Sequence, residues 1–509
     1  MQSFQQAIEA VDFYSPAEER FNRRRRTIGL WLAPLLFAGL LLWPARTLSP
    51  EAHRLLAVLV AVAVLWLTEA LPLAVTALLG PALAVVLGVT TAQQALAPFA
   101  DPIIFLFIGS FILAEAMFVH GLDRRIAYTA LSSKFVGTSA PRLLLVYGGV
   151  ATALSMWVSN TATTAMMFPI GMAIVAHATH NARPGDTAGR QFAVAMMLTT
   201  AFGACIGGMA TPVGTPPNLI GIGMLQRLGG TRISFVGWMA IGVPAVLVLF
   251  VLLMLLVAGS GLRRYRIPEP AIESIRAELA RLGPWSPGQR NVVIAFAVTL
   301  VLWLLPGLRA FGRTSFTNID QVYASTIPEG IAAIFGAVLL FVLPVDWKTR
   351  RFTLTWEEAA RIDWGIVLVY GGGLTLGQLA FSTGLASAIG RPLVEGAGLQ
   401  SVLALTALFT AAGILVSQTT SNTAAAAILV PVAIAACETA HVSPLAPVVG
   451  TVLGVSMGFV LPISSASNAI VYSSGYVPIR SMVRYGVILD VLAFFVIVTV
   501  AAFLGPFLH

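Results

Sequence analysis

The chain has 509 residues, of which 57% are hydrophobic and only 10% are charged. Soluble globular domains carry about 25% charged residues, so this composition excludes that class and indicates an α-helical membrane protein. The formal net charge of +8 comes almost wholly from arginine, and the arginines stand in loops beside apolar runs. The positive-inside rule explains this placement better than binding to nucleic acid does, and we expect no nucleic-acid partner.

The chain opens with a polar stretch, residues 1–26, which ends in four consecutive arginines and is followed by the apolar run 28–43. A signal peptide would begin its apolar run sooner and end it at a small-x-small cleavage site, which WPARTLSP does not offer. We therefore predict a cytoplasmic N-terminal tail followed by a first transmembrane helix.

Eleven apolar segments predict transmembrane helices, because a span needs ~20 apolar residues. They lie near residues 28–45, 53–71, 73–90, 102–120, 191–224, 235–260, 291–308, 323–344, 363–384, 447–475 and 485–507. Two further apolar regions, 141–178 and 400–437, are too long for one span and are interrupted by polar residues. Each predicts a re-entrant helical hairpin that makes no net crossing. This count places most basic loops inside, with the N-terminus cytoplasmic and the C-terminus outside.

The polar loop 261–290 marks the seam between two halves, repeat 1 at 27–260 and repeat 2 at 291–509. FIGSFILAEAMFVHGLD at 107–123 echoes VYGGGLTLGQLAFSTGLA at 369–386. One predicted hairpin opens inside and the other outside, so the repeats are inverted in the membrane.

The strongest signal is a phrase that the chain uses twice. SMWVSNTATTAMMFP spans 155–169 and SQTTSNTAAAAILVP spans 417–431, and each copy is followed by a second matched stretch, TPVGTPPNLI at 211–220 and LPISSASNAI at 461–470. Polar, proline-broken backbone is costly in lipid and is tolerated where it lines a wet cavity. Its duplication predicts a transporter whose site lies between two repeats.

The residue types in these stretches suit ions. Their neutral oxygens can bind a hard cation such as Na⁺, and their amides and hydroxyls can donate to an anion. The cation candidates are Ser155, Ser159 and Asn160 with Gly214, and Ser417, Ser421 and Asn422 with Ser464; the anion candidates are Asn160, Thr161, Asn422 and Thr423. Neither phrase contains a cationic side chain, so a buried anion needs compensation, which co-bound cations would supply. The alternative is that these side chains only bond nearby backbone, and the duplication argues against it.

The chain resembles the divalent anion/sodium symporter family, which includes carriers of dicarboxylates, citrate and sulfate. The Ser-Asn-Thr motifs at 159–161 and 421–423 carry the resemblance, and TEALPLAVTALLGP (68–81), GGMATPVGTPPN (207–218) and the glycines 371–373 add to it. It implies a homodimer in which a transport domain moves against a scaffold domain like an elevator. Scaffold helices would run to about residues 136 and 390 of the two repeats, and the hairpins and transport helices would occupy about 140–260 and 400–509.

The resemblance also implies a set of site residues. One Na⁺ would lie near Ser155, Ser159, Asn160 and Gly214, and a second near Ser417, Thr420, Asn422 and Ser464. The substrate carboxylates would meet Asn160, Thr161, Thr215, Asn422, Thr423 and Ser465. The family commonly has Pro-Pro-Asn in the second loop, whereas this chain has Ala466-Ser467-Asn468. Loss of both prolines relaxes the backbone and leaves the second cation site and the contacts near Ala466 open.

We predict an all-α polytopic membrane protein of the inner (plasma) membrane with inverted repeats, and not an enzyme. The predicted activity is Na⁺-coupled symport of divalent anions, most simply C4-dicarboxylates. Alternatives are an Na⁺-independent exchanger on the same fold and sulfate or citrate as the substrate. A channel fits less well because inverted repeats with closed hairpins argue against it, and an intramembrane enzyme because the repeated phrases contain no cluster of His, Asp, Glu or Cys. Among acids inside predicted spans, Glu115 is the best candidate for a role.

Overall fold

The computed structural model describes residues 16–44, 47–179, 187–263, 265–311, 326–398 and 400–505; residues 1–15 of the predicted tail lie outside this part. The helices of the first half are α1 (Pro16–Leu42), α2 (Pro50–Thr68), α3 (Leu73–Val86), α4 (Ala92–Leu96), α5 (Pro102–Val119), α6 (Leu122–Leu131), α7 (Ala140–Ser155), α8 (Asn160–Thr179), α9 (Thr187–Gly208), α10 (Pro216–Leu228) and α11 (Phe235–Leu262). The helix between the halves is α12 (Glu269–Arg281).

The helices of the second half are α13 (Pro287–Phe311), α14 (Glu329–Val342), α15 (Trp356–Ala359), α16 (Trp364–Ser382), α17 (Leu385–Ala397), α18 (Val402–Ser417), α19 (Asn422–Thr439), α20 (Leu445–Val455), α21 (Ala466–Tyr472) and α22 (Ile479–Leu504). A short antiparallel pair, β1 (Pro344–Asp346) and β2 (Arg351–Phe352), follows α14. Single 3₁₀ turns occur at Ala97–Ala100 and Pro462–Ser464.

Ten helices among the described residues are long and apolar enough to cross a bilayer, by length and composition. The predicted all-α polytopic class is confirmed. The ten include α8 and α19, the second arms of the predicted hairpins, whereas α3, α14 and α20 are shorter. The count of eleven crossings and the entry of each hairpin from one side stay predictions.

Two predicted boundaries differ from the structure. Helix α1 begins at Pro16, so residues 16–26, expected to be tail, continue into the first apolar segment as helix. The predicted linker 261–290 contains α12, whose Ala271, Ile272 and Ile275 are buried. Their spacing of one, three and four residues places them on one helical face, which packs against α6 and α8. The seam between the halves is therefore a docked helix rather than an open loop.

The two halves interlock through close helix contacts. Helix α5 of the first half packs on α14 of the second, and α16 of the second packs on α3 of the first. At the first contact a Cβ on Gly109 would lie 2.6 Å from the backbone of Ala333. At the second a Cβ on Gly372 would lie 2.1 Å from the carbonyl oxygen of Ala77. Only glycine allows backbones to approach so closely, and this explains the matching glycines of the two repeats.

Both repeated phrases form a pair of helices with a break between them. Helices α7 and α8 are separated by residues 156–159, and α18 and α19 by residues 418–421. The second matched stretches also break helices, because α9 ends at Gly208 before α10, and α20 ends at Val455 before α21. Four helix breaks therefore come from the four stretches that the sequence repeats.

Candidate functional site

A cavity of about 710 Å³ lies where the broken helices meet. Its lining includes all six residues predicted to contact substrate, which are Asn160, Thr161, Thr215, Asn422, Thr423 and Ser465. The two Ser-Asn-Thr motifs, 262 residues apart in sequence, thus face one space. The opposite wall comes from α3, α5 and α16, and includes Phe111, Glu115 and Val369.

The eight predicted cation ligands divide into two groups. Ser159, Asn160, Asn422 and Ser464 line the cavity. Ser155, Gly214, Ser417 and Thr420 do not line it and are buried behind it. The Thr420 hydroxyl donates to the carbonyl oxygen of Trp66 on α2 at 3.0 Å, so it points away from the other predicted ligands.

Each loop after a broken pair is held by an asparagine. Asn218 Nδ2 donates to the carbonyl oxygens of Gly208 at 2.9 Å and Thr211 at 2.7 Å. Asn468 Nδ2 donates to those of Gly458 at 2.8 Å and Leu461 at 3.0 Å. Both asparagines are fully buried. Equivalent side chains therefore fold equivalent loops, which places Thr215 and Ser465 at matched points of the cavity wall.

Despite the loss of Pro-Pro in the second loop, the residue before the helix has the same backbone conformation in both loops. Thr215 has φ −148° and ψ 142°, and Ser465 has φ −151° and ψ 151°. Prolines at 216 and 217 remove amide donors that would need a cap. In the second loop the Ser465 hydroxyl caps the helix by accepting from the Asn468 amide at 3.1 Å, whereas Thr215 makes no side-chain cap. Its proton is still free to be donated, so its expected role toward a carboxylate is compatible with the cap.

Carbonyl oxygens crowd the first loop. A Cβ on Gly214 would lie 2.5 Å from the carbonyl oxygen of Gly208, and 2.9 Å from those of both Ser155 and Met156. The amide oxygen of Asn160 lies nearby, because it accepts from Ser155 Oγ at 2.9 Å and would lie 2.2 Å from a Cβ on Gly208. Uncharged oxygens from the end of α7, the start of α8 and the loop thus converge, which is the donor set that Na⁺ takes at unwound helices. We name this cluster the first cradle.

A second cradle occupies the equivalent place in repeat 2. A Cβ on Gly458 would lie 3.1 Å from the carbonyl oxygen of Ser417 and 3.4 Å from that of Ser464. The amide oxygen of Asn422 is buried and has no hydrogen-bond partner within the described ranges. A buried acceptor without a donor is rare in native proteins and indicates an ion or water that completes it.

Charged side chains also line the cavity, where the sequence analysis did not place them: Arg25, Arg26, Glu69, Glu115, Arg361 and Asp363. Arg25 donates to Glu69 Oε2 at 2.8 Å and to the carbonyl oxygen of Thr419 at 2.6 Å. Arg25 was hidden from sequence reasoning because residues 23–26 look like a simple cytoplasmic anchor. Cys205 is buried and also lines the cavity.

Asp490 was missed entirely, although it interrupts the apolar stretch of α22. Its Oδ2 accepts from Gln418 Nε2 at 2.9 Å, and Gln418 directly follows Ser417 in the repeated phrase. A single acid inside an apolar run was the signal that could have found it.

The sequence model of a family described as "Sodium:sulfate symporter transmembrane region" matches residues 25–509. The chain belongs to this family. The resemblance drawn from the Ser-Asn-Thr motifs is confirmed, and the chain is a multi-pass membrane protein.

Two relatives within the family are named "Sodium-dependent dicarboxylate transporter SdcS". The protein of Staphylococcus saprophyticus is 34% identical over 502 residues, which cover 97% of this chain and 94% of the relative. That of Staphylococcus aureus (strain bovine RF122 / ET3-1) is 32% identical over 485 residues, which cover 94% and 91%.

Two solved structures share the fold. The YdaH transporter of Alcanivorax borkumensis has a TM-score of 0.54 at 14% identity, covering 95% of this chain and 98% of its own. MtrF of Neisseria gonorrhoeae, described as one of a class of antimetabolite efflux pumps, has a TM-score of 0.54 at 14% identity, covering 91% and 96%. At this identity the likeness concerns architecture alone.

Proposed function

We propose that the chain is a secondary active transporter that couples the movement of a small dianion, most simply a C4-dicarboxylate, to Na⁺. The observation that carries the proposal is that both Ser-Asn-Thr motifs face one cavity with an oxygen cradle behind each. The names of the relatives support the choice of dicarboxylate and of Na⁺, and they favour a transporter over an enzyme.

The residues fit the proposed cation. Ser155, Asn160 and Gly214, with Ser159, would hold Na⁺ in the first cradle, and Ser417, Asn422 and Ser464 would hold it in the second. Thr420, expected in the second set, bonds Trp66 instead. The unpartnered amide oxygen of Asn422 supports the second site, because a bound cation would satisfy it; the amide oxygens of Asn218 and Asn468 are also unpartnered among the described residues. Bound Na⁺ would offset the charge of the anion beside it.

The same side chains would bind the anion with their other ends. Because the amide oxygen of Asn160 accepts from Ser155, its amide nitrogen is left to donate. Asn422 would act likewise once its oxygen meets a cation. The hydroxyls of Thr161, Thr423, Thr215 and Ser465 add donors from both halves, so each carboxylate of a short dianion would meet one repeat.

We further propose the finer features that the family resemblance implies. These are an elevator-like movement of the transport elements, a homodimer, a place in the inner (plasma) membrane and a cytoplasmic N-terminus. The position of the cavity supports the first, because it lies between the broken helices and the wall of α3, α5 and α16.

Purified protein in liposomes would test the activity with labelled succinate. We expect uptake driven by an inward Na⁺ gradient, little uptake when K⁺ replaces Na⁺, and competition by other C4-dicarboxylates but not by sulfate. Equal exchange in preloaded liposomes with and without Na⁺ would support the exchanger instead.

Asn160→Ala and Asn422→Ala test the site. Each removes one donor to substrate and one cation ligand, so each should lower uptake at least tenfold, since every ~1.4 kcal/mol lost is a factor of ten. Elution as a single folded species from size-exclusion chromatography controls for misfolding. Uptake at the wild-type rate in both variants would remove the motifs from the site.

A further inference from the structure

Asp490 is a buried acid in a helix that is a candidate membrane span, where a charged side chain is unfavourable. Its residue is 6% exposed, and it lies within α22, one of the membrane-spanning candidates. Its Oδ2 accepts from Gln418, whereas its Oδ1 is buried and finds no partner in the part of the chain that the structure describes. No ion pair to Asp490 occurs among those residues either. An acid kept inside a membrane without a cationic partner indicates a function.

Gln418 connects this acid to the second cradle. Its amide nitrogen donates to Asp490 and also to the carbonyl oxygen of Met457 at 2.9 Å. Its amide oxygen accepts from the Val460 amide at 3.1 Å and from the Ser464 hydroxyl at 3.3 Å. One side chain thus separates the Asp490 carboxylate from Ser464, and the same side chain ties together the segments that form the cradle.

The first cradle has no such charge. The repeated phrase makes Met156 the counterpart of Gln418, because they follow Ser155 and Ser417. Gly242 and Gly486 mark matched points, since a Cβ on either would lie within 2.6 Å of a carbonyl oxygen in the loop it packs against. Val246, which is buried, lies four residues after Gly242, and Asp490 lies four residues after Gly486. Apolar side chains therefore stand in repeat 1 where repeat 2 has an amide and a carboxylate.

We propose that the Asp490 carboxylate is the counter-charge of the second cation site and, through Gln418, makes that site bind Na⁺ more tightly than the uncharged first site. The inference rests on the proposed Na⁺ coupling. A unit charge about 8 Å from a cation, in an effective dielectric of about 20, changes cation binding by roughly thirtyfold. Asp490 is a positioning residue in this scheme, because it acts on the cation through Gln418 and Ser464.

The charge would also tighten coupling. With the second cradle empty, the moving part carries a buried acid without a counter-ion, so its passage through the membrane costs free energy either for the buried charge or for the proton that must neutralise it. With Na⁺ bound, the pair is neutral and the penalty falls. Asp490 thereby disfavours movement of the carrier without its cation.

Asp490 could serve only to join helices through its hydrogen bond to Gln418, or it could act on the cation through its charge. Asp490→Asn separates these two roles, because it removes the charge and keeps a hydrogen-bond acceptor. Its amide oxygen can still accept from Gln418. Na⁺ binding is measured on purified protein by thermal stability and by tryptophan fluorescence, and in liposomes by Na⁺-dependent uptake. We expect Asp490→Asn to raise the Na⁺ concentration for half-maximal response at least tenfold and to increase Na⁺-independent exchange. Val246→Ala, at the matched position of repeat 1, should keep the Na⁺ concentration for half-maximal response and the rate of Na⁺-independent exchange within twofold of wild type.

Rescue tests the charge itself. The double variant Q418E/D490N exchanges the carboxylate and the amide, so the negative charge and the hydrogen bond between the two positions are kept, while the bonds that Gln418 donates to the carbonyl oxygens of Ile414 and Met457 are lost. It should return Na⁺ affinity to within about threefold of wild type. Wild-type Na⁺ affinity in Asp490→Asn, or no recovery in the double variant, overturns the proposal. If Asp490→Asn does not fold, Asp490→Ser serves as the neutral variant. Wild-type protein that shows no Na⁺ response at all refutes the proposed function instead.

Discussion

Asn160 and Asn422 occupy matched positions but differ in how they are held. The amide oxygen of Asn160 accepts from Ser155, whereas that of Asn422 has no partner in the ranges described. The first motif is therefore organised before any ion binds, and the second needs a ligand to satisfy its buried oxygen. This difference agrees with a tighter second cation site, because an unsatisfied acceptor gains more from a cation than one already bonded.

Gly214 offers a steric test of the first cradle. In Gly214→Ala the new methyl group would lie 2.5 to 2.9 Å from three carbonyl oxygens, where the cation is expected. We expect the Na⁺ concentration for half-maximal uptake to rise at least tenfold, or uptake to be lost together with the Na⁺-dependent thermal shift. Gly39→Ala is the matched control, since a Cβ there meets nothing within 4 Å, and it should behave as wild type. Unaltered Na⁺ dependence in Gly214→Ala would place the cation elsewhere.

At the scale of elements, helix α1 reaches the break between α18 and α19. Arg25 bonds the carbonyl oxygen of Thr419 and forms an ion pair with Glu69, which follows α2. Glu69 adopts φ 49°, a left-handed conformation that costs a non-glycine residue on the order of 1 kcal/mol or more. Because the Thr420 hydroxyl bonds Trp66, the second break is tied to α1 through Thr419 and to α2 through Thr420.

Removing Arg25 should loosen that break. Arg25→Ala deletes a charge-assisted bond to Thr419, and we expect amide hydrogen exchange of residues 418–421 to become about fivefold faster, since such bonds contribute roughly 1 kcal/mol when partly solvated. Arg26→Ala removes the same charge one position on, but its side chain is 59% exposed and 3.9 Å from Glu69. It should change exchange by less than twofold. Equal effects of the two variants would show that only the charge near the cavity matters.

The repeated stretches in the sequence predicted where helices break and which six residues line the cavity, because each of these features depends on a local pattern that occurs twice. The inverted repeats and the roles of the six residues stay predictions. The sequence did not predict features that depend on contacts between distant residues or on positions where the two repeats differ. Nothing local shows that Arg25 reaches Thr419, 394 positions away. The counterparts of Gln418 and Asp490 in repeat 1 are apolar, so a search for repeated residues does not detect these two side chains. Helix α12 was read as loop because its few apolar residues stand among charges.

At the scale of the whole molecule, the halves are joined in two ways. Close glycine contacts at Gly109 and Gly372 lock α5 to α14 and α16 to α3. The proposed transport elements meet this interlocked part through helix packing, as between α17 and α19, and through polar ties such as the ion pair of Arg232 and Glu329 at 3.2 Å. Packed glycine contacts resist sliding, whereas exposed ion pairs contribute about 0–1 kcal/mol and can part. We expect the proposed elevator movement to part such polar ties and to leave the contacts at Gly109 and Gly372 in place.

Cross-linking that ion pair would test the movement. In the double variant R232C/E329C, a bifunctional thiol reagent that spans the two positions would join the loop before α11 to the start of α14. If the transport elements move past α14, the cross-link should abolish Na⁺-driven uptake, and a reductant that cleaves the spacer should restore it. The native thiols Cys205 and Cys437 are buried, so their reaction should be slow.

The chain provides a matched control within a single helix. Glu278 and Arg281 form an ion pair on α12, and the variant E278C/R281C would accept the same reagent without joining two elements. Its uptake should survive treatment, as should that of the single variants R232C and E329C. Full uptake by completely cross-linked R232C/E329C would mean that the loop and α14 keep their distance throughout the cycle. Transport would then have to proceed by local opening of the broken helices around the cavity, without displacement of one domain past the other.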